Sequence, residues 1–199
     1  MHESPPQQRP LVLGSTSRYR RELLQRLNLP FDVTAPDVDE TPRPGETPRT
    51  LALRLALAKA HAVAQQHLTA IVIGSDQVAD LGGEPLGKPG NHERAVLQLR
   101  RMRGHTVVFQ TAVAVVCAAT AFEQVDLAPV EVTFRDLSDE EIERYLRAEQ
   151  PYDCAGSAKS EGLGISLLDS IHSDDPTALI GLPLIRTCRM LRAAGLVLP

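Results

Sequence analysis

Apolar positions along the chain change period several times, and each change marks an element. Leu11 to Leu13 form a short apolar run closed by Gly14, which reads as a strand. Leu23, Leu24 and Leu27 then recur at helical spacing, with Ser17 placed to cap the helix. Phe31 to Ala35 alternates as a strand does, and the Pro- and acid-rich stretch Pro36 to Glu46 reads as an exposed loop. Thr47 and Pro48 open a helix, because proline at the first helical position loses no hydrogen bond, and the pattern carries it to Gln66.

Ala70 to Gly74 is apolar and β-branched, as in a strand buried on both faces, and polar Ser75, Asp76 and Gln77 follow at its carboxyl end. Gly82 and Gly83 turn the chain, and Asn91 caps a helix running to Arg103 that Gly104 ends. Thr106 to Ala119 and Val125 to Arg135 read as long strands. Ser138 with Glu141 three residues on forms a capping box for a helix through Ala148, stopped near Pro151. A loop follows through Gly164, and a last helix covers Leu184 to Ala194. Strands and helices mixed throughout predict an α/β unit with a long twisted sheet.

Composition narrows the classes. With 43% hydrophobic and 23% charged residues the chain can bury a sizeable core and is too apolar for intrinsic disorder. No apolar run reaches the roughly 20 residues of a bilayer span; Thr111 to Ala121 is the longest candidate. Residues 1–10 read as a loose polar tail rather than a secretory signal, and 11–199 as one domain. The net charge of −4 argues against nucleic acid as a partner and makes Arg94, Arg100, Arg101 and Arg103 a solvated helix face. Cys117, Cys154 and Cys188 are far apart, so neither a disulfide framework nor a zinc site is suggested, which fits a reducing cytoplasm. His61, His67, His92, His105 and His172 lack metal-ligand spacing.

Four polar clusters fall at element ends. Gly14 to Arg21 couples a strand end to a helix N-terminus, with Ser15, Ser17 and Arg20 suited to cradle an anion. Asp37, Asp39 and Glu40 suit a hard cation held with phosphate and water. Lys59 lies on the apolar flank of its helix. Asp76 is costly to bury without a partner, and Gly87-Lys88-Pro89 follows it after the glycine turn. Taken singly, the first three also suit an ordinary helix cap, a solvated acidic loop and a snorkelling lysine. Convergence of Arg20, Lys59 and Lys88 with Glu40 and Asp76 would match a metal-bound polyphosphate and phosphoryl transfer to water.

Read in order, the clusters resemble the Maf family of nucleoside triphosphate pyrophosphatases. The motifs are Leu11-Val-Leu-Gly-Ser-Thr-Ser17 with Arg20-Arg21, Asp37-Val-Asp-Glu40, Arg54-Leu-Ala-x-x-Lys59-Ala, Gly74-Ser-Asp-Gln77 and Gly87-Lys-Pro89. Tyr152-Asp-Cys-Ala-Gly-Ser157, Lys159-Ser-Glu-Gly162 and Ile180-Gly-Leu-Pro-Leu184 continue the match across nearly the whole chain. The resemblance implies the inosine-triphosphatase-like fold, a long twisted mixed sheet flanked by helices with a cleft between two lobes. It also implies a cytoplasmic homodimer that cleaves between the α and β phosphates with Mg²⁺ or Mn²⁺. By the same resemblance Asp76 is the proton acceptor and Tyr19, Gln77 and Glu161 discriminate the base; the chemistry of the converging residues makes Lys59 and Lys88 the catalytic cations and Glu40 with Asp76 the metal ligands.

Within the family the chain looks most like the branch that hydrolyses 7-methyl-GTP, although Arg18-Tyr19 replaces the commoner proline-containing pair. A tyrosine face suits the positive charge of a 7-methylguanine ring, and Glu161 suits its polar edge. The same reaction on dTTP and UTP is the enzymatic alternative, and a nucleotide-sensing regulator of cell division the non-catalytic one.

Overall fold

The computed structural model describes residues 9–198. The tail expected over residues 1–10 therefore lies mostly outside the described residues, and its last member, Pro10, already accepts a hydrogen bond from Ile71 N at 2.8 Å. Among the described residues seven strands form one sheet: β1 (Leu11–Gly14), β2 (Asp32–Val33), β3 (Ile71–Leu81), β4 (Glu84–Leu86), β5 (Thr106–Cys117), β6 (Phe122–Phe134) and β7 (Leu168–His172), in the order β2-β1-β3-β5-β6-β7 with β4 added to β3. The helices are α1 (Arg18–Gln25), α2 (Pro48–Ala64), α3 (His92–Met102), α4 (Asp139–Glu149) and α5 (Leu184–Ala193). β1 runs parallel to β2 and β3, whereas β3 to β7 pair antiparallel. The sheet is thus mixed, as expected.

Strand periodicity divides the core. Val12, Val72, Ala112 and Ala114 point to α2, which packs through Ala52, Ala56 and Ala60, while Leu13, Ile73, Val113 and Val115 point to α1 and α5. A third cluster around Phe109, Phe134, Leu99 and Leu146 joins α3 and α4 to the far end of the sheet. Helix starts follow their caps: the Ser17, Thr47 and Asn91 side chains accept from Arg20, Thr50 and Arg94 N, and Ser138 with Glu141 completes the capping box.

The differences from expectation have local causes. Ser75, Asp76 and Gln77 do not end their strand. β3 continues to Leu81 because β5 pairs with it from Val72 to Asp80, even though β1 stops opposite Gly74. β2 shrinks to two residues, having only Val12 and Leu13 to pair with. β4 is the return arm of a hairpin whose tip, Gly82-Gly83, has φ of +62° and +93°, angles that glycine adopts without steric cost. Among the described residues no strand pairs with 75–78 on the β1 side, since β1 ends at Gly14 and β4 joins only at Ala79. That gap divides the α1–α2–α5 part of the molecule from the α3–α4 part.

Candidate active site

A cleft of about 730 Å³ opens at the gap. Its floor is the stretch of β3 with a free side, and its apolar walls include Leu51 and Leu55 of α2 and Leu86 of β4. Ser15, Ser17, Tyr19, Arg20, Glu40, Lys59, Asp76, Gln77 and Lys88 all line it. The four clusters are therefore brought together. Of the loop's three carboxylates at 37, 39 and 40 only Glu40 arrives; Asp39 turns back to accept from Thr41 N at 2.9 Å, and Asp37 is exposed outside the cleft.

Lys59 is the hub. It is 6% exposed and Asp76 7%, and Lys59 Nζ donates to Asp76 Oδ1 at 2.6 Å and to Glu40 Oε1 at 2.7 Å. A buried lysine needs such partners, because an unpaired charge in the interior costs several kcal/mol. Sequence places Lys59 on the apolar flank of α2, one turn after Leu55 and one before Val63; structure buries it there and turns it to Asp76 rather than to water. Burial opposes ionisation of Glu40, but the hydrogen bond and charge of Lys59, reinforced by Lys88 and Arg20, hold its carboxyl below the ordinary glutamate value.

Arg20 comes from the first turn of α1. Its Nε donates to Gly181 O at 2.8 Å and its Nη1 to Ser15 Oγ at 3.4 Å. Burial pushes the guanidinium pKa down while Asp76 and Glu40 pull it up; arginine still remains a cation in a protein at neutral pH. Ser15 Oγ also accepts from Ser17 N at 3.2 Å, so the two serines order the turn that presents the α1 N-terminus to the cleft.

Sequence reasoning gave no role to the segment Ala178–Gly181, against which the floor is fastened, although Ile180 and Gly181 open one of the motifs. Gln77 Nε2 donates to Ala178 O and Leu179 O, each at 3.0 Å, and to Thr111 Oγ1 at 2.9 Å. Thr111 donates to Ala178 O, and Ser75 to Gly181 O, again at 3.0 Å. Backbone carbonyls carry no signature in a sequence. Thr111, a fully buried polar residue that follows Gln110 and opens the apolar run Ala112 to Cys117 of β5, is the available sign that a polar partner lies opposite.

At the cleft mouth Tyr19 is half-buried, and the Arg18 guanidinium lies 4.7 Å from its ring centroid while donating to its hydroxyl at 2.6 Å. Cys154 sits 3.8 Å from that hydroxyl; burial pushes its thiol up to about 11, which keeps it protonated and inert at neutral pH. Glu161 is not brought to the cleft. It lines a second cavity of about 220 Å³ with Ser160, Asp175 and Ile180. Among the described residues no group of three or more His, Cys, Asp or Glu forms a metal cage, but Mg²⁺ commonly uses one or two carboxylates completed by phosphate and water. Glu40 and Asp76, converging on one lysine nitrogen, fit that demand.

Such a cleft, with cations and carboxylates facing each other where a parallel strand stops short in a mixed α/β sheet, defines a phosphate-handling protein. The chain belongs to the Maf family: the model described as Maf-like protein matches residues 10–194. It is 77% identical over 193 residues to a 7-methyl-GTP pyrophosphatase of Polaromonas sp. strain JS666, covering 97% of this chain and 88% of that one. The protein of the same name from Albidiferax ferrireducens is 71% identical, with 97% of each chain covered, and that from Aromatoleum aromaticum 62%, with 95% and 97% covered. Among solved structures, a HAM1 protein from Coxiella burnetii aligns with a TM-score of 0.46 at 17% identity, covering 65% of this chain and 75% of that one. No helix among the described residues is long and apolar enough to cross a membrane.

Proposed function

We propose that this chain is a nucleoside triphosphate pyrophosphatase that converts 7-methyl-GTP and water to 7-methyl-GMP and pyrophosphate. The observation that carries the reading is the convergence of Arg20, Lys59 and Lys88 with Glu40 and Asp76 on one cleft. Asp76 takes a proton from water, the water oxygen bonds to the α-phosphorus, and the bond from that phosphorus to the bridging oxygen of the β-phosphate breaks. Lys59 and Lys88 neutralise charge growing on the departing pyrophosphate, and Arg20 grips the phosphate chain as a planar donor. Glu40 and Asp76 would hold a divalent cation, Mg²⁺ or Mn²⁺, which when bound supplies further neutralisation of phosphate charge. Tyr19 offers an aromatic face to the cationic base, and Gln77 lines the same cleft. The protein works in the cytoplasm as a homodimer.

The test is a turnover panel of 7-methyl-GTP, GTP, UTP and dTTP with Mg²⁺ or Mn²⁺, with products resolved. We expect pyrophosphate and fastest turnover on 7-methyl-GTP, and a kcat lower by about 10² or more in Asp76→Asn, which is nearly isosteric but cannot take the proton. Preference for UTP or dTTP would move the chain to the other substrate set. Binding without turnover would make it a sensor.

A further inference from the structure

Lys88 is carried by Gly87-Lys88-Pro89-Gly90, a loop joining β4 to α3 in which two glycines flank an exposed lysine and only Pro89 is buried. The loop is nevertheless fastened at both ends. Gln98, in the second turn of α3, donates its Nε2 to Gly87 O at 2.9 Å, and Gly90 N donates to Tyr152 O at 3.0 Å. Gln98 is itself held: Ser157 Oγ donates to its Oε1 at 2.6 Å. Ser157 is fully buried and has φ of +55°, following Gly156 at +68°. That turn is tightly seated, since a Cβ on Gly156 would come within 3.2 Å of the Phe109 ring.

An amide engaged on both its oxygen and its nitrogen has a single orientation. By donating to the oxygen, Ser157 commits the nitrogen of Gln98 to the loop. We propose that Gln98, oriented by Ser157, is the positioning residue for Lys88 and thereby sets the rate of the phosphate step. Gln98 does not line the cleft, so it acts through the lysine rather than on substrate. Through the chain Ser157–Gln98–Gly87, the Cys154-Ala-Gly-Ser157 motif becomes the far anchor of a catalytic cation. The inference rests on the reading of Lys88 as the cation facing the leaving pyrophosphate.

The experiment is a double-mutant cycle between Gln98→Met and Lys88→Met, with kcat and KM for 7-methyl-GTP at saturating metal and melting temperature for each variant. Gln98→Met keeps the length and removes the donor. Misplacing a catalytic group by about 1 Å can cost 10²-fold, so kcat should fall at least severalfold with KM little changed, while the melting temperature drops only by what the buried Ser157 hydroxyl loses with its acceptor. In the Lys88→Met background the same substitution should cause no further loss, because nothing remains to be positioned. Ser157→Ala breaks the chain from its other end and should lower kcat without adding to Gln98→Met. This second variant decides the matter if Gln98→Met does not fold. Equal losses in both backgrounds, or full activity of Gln98→Met beside a crippled Lys88→Met, would overturn the inference and leave the proposed function standing. A fully active Lys88→Met would remove the reading of Lys88 and the inference with it.

Discussion

Arg54 fixes the loop from which Glu40 reaches Lys59. Its guanidinium binds Glu46 in fork geometry, Nε to Oε1 at 2.6 Å and Nη2 to Oε2 at 2.8 Å, and Nη2 also donates to Thr41 O at 3.1 Å. The Arg54 hydrogen bond, aided by Arg43 N, holds the Glu46 carboxyl at about 2, below its ordinary 4.5. A folded-state pKa below the unfolded one stabilises the protein above the unfolded value, and that contribution disappears as pH falls from about 4.5 to about 2. Glu46→Gln should therefore lower stability at neutral pH and flatten the decline between those limits, measured by urea unfolding at several pH values. Parallel curves for parent and variant would show that the pair adds nothing. Composition made the loop from Pro36 to Glu46 readable as acidic and exposed, but not which acids fold inward: Glu46 finds Arg54 through the path of the loop, and Glu40 finds Lys59 the same way.

At the scale of elements, Gly74 is where the backbone of α2 lies directly against the sheet. A Cβ there would lie 2.2 Å from Ala56 O and 2.5 Å from Ala60 N, backbone that cannot yield without moving the helix. Gly74→Ala should lower the melting temperature markedly, since overpacking commonly costs about 1–3 kcal/mol and the clash here is with main chain. Because Lys59 rides on α2 beside Ala60, activity in the surviving folded fraction should fall too; a variant with parental melting and turnover would refute this packing. Elements with caps and a clear period were legible: α2 from Thr47-Pro48, α3 from Asn91, α4 from its capping box, and the β5–β6 hairpin from its apolar runs. The full length of β3 was not, because polar Ser75 and Asp76 look like the end of a buried strand when the partner strand that buries them is unknown. β4 has three residues and β7 five, mostly exposed, too few for periodicity to register. Sequence shows which charges could converge and topology brings Arg20, Glu40, Lys59, Asp76 and Lys88 to one cleft, whereas Glu161, named by family likeness, lies beyond it.

For the whole molecule, the β5–β6 hairpin is the common backbone of both parts. Its register runs unbroken from Thr106↔Thr133 to Cys117↔Phe122, so the cleft is cut into one side of a continuous sheet rather than hung between loosely joined bodies. Beside that cut the protein supplies its own countercharge: one lysine answers two carboxylates. Chelation of divalent cations by EDTA should then abolish turnover while leaving the melting temperature unchanged, whereas a cation needed for the fold would make melting drop on its removal. If the two responses separate in this way, the number of folded copies and their rate of work answer to different things. Chain synthesis sets the first. The free divalent cation around the protein sets the second, so a cell short of that ion would keep its full complement of this protein and lose only the activity.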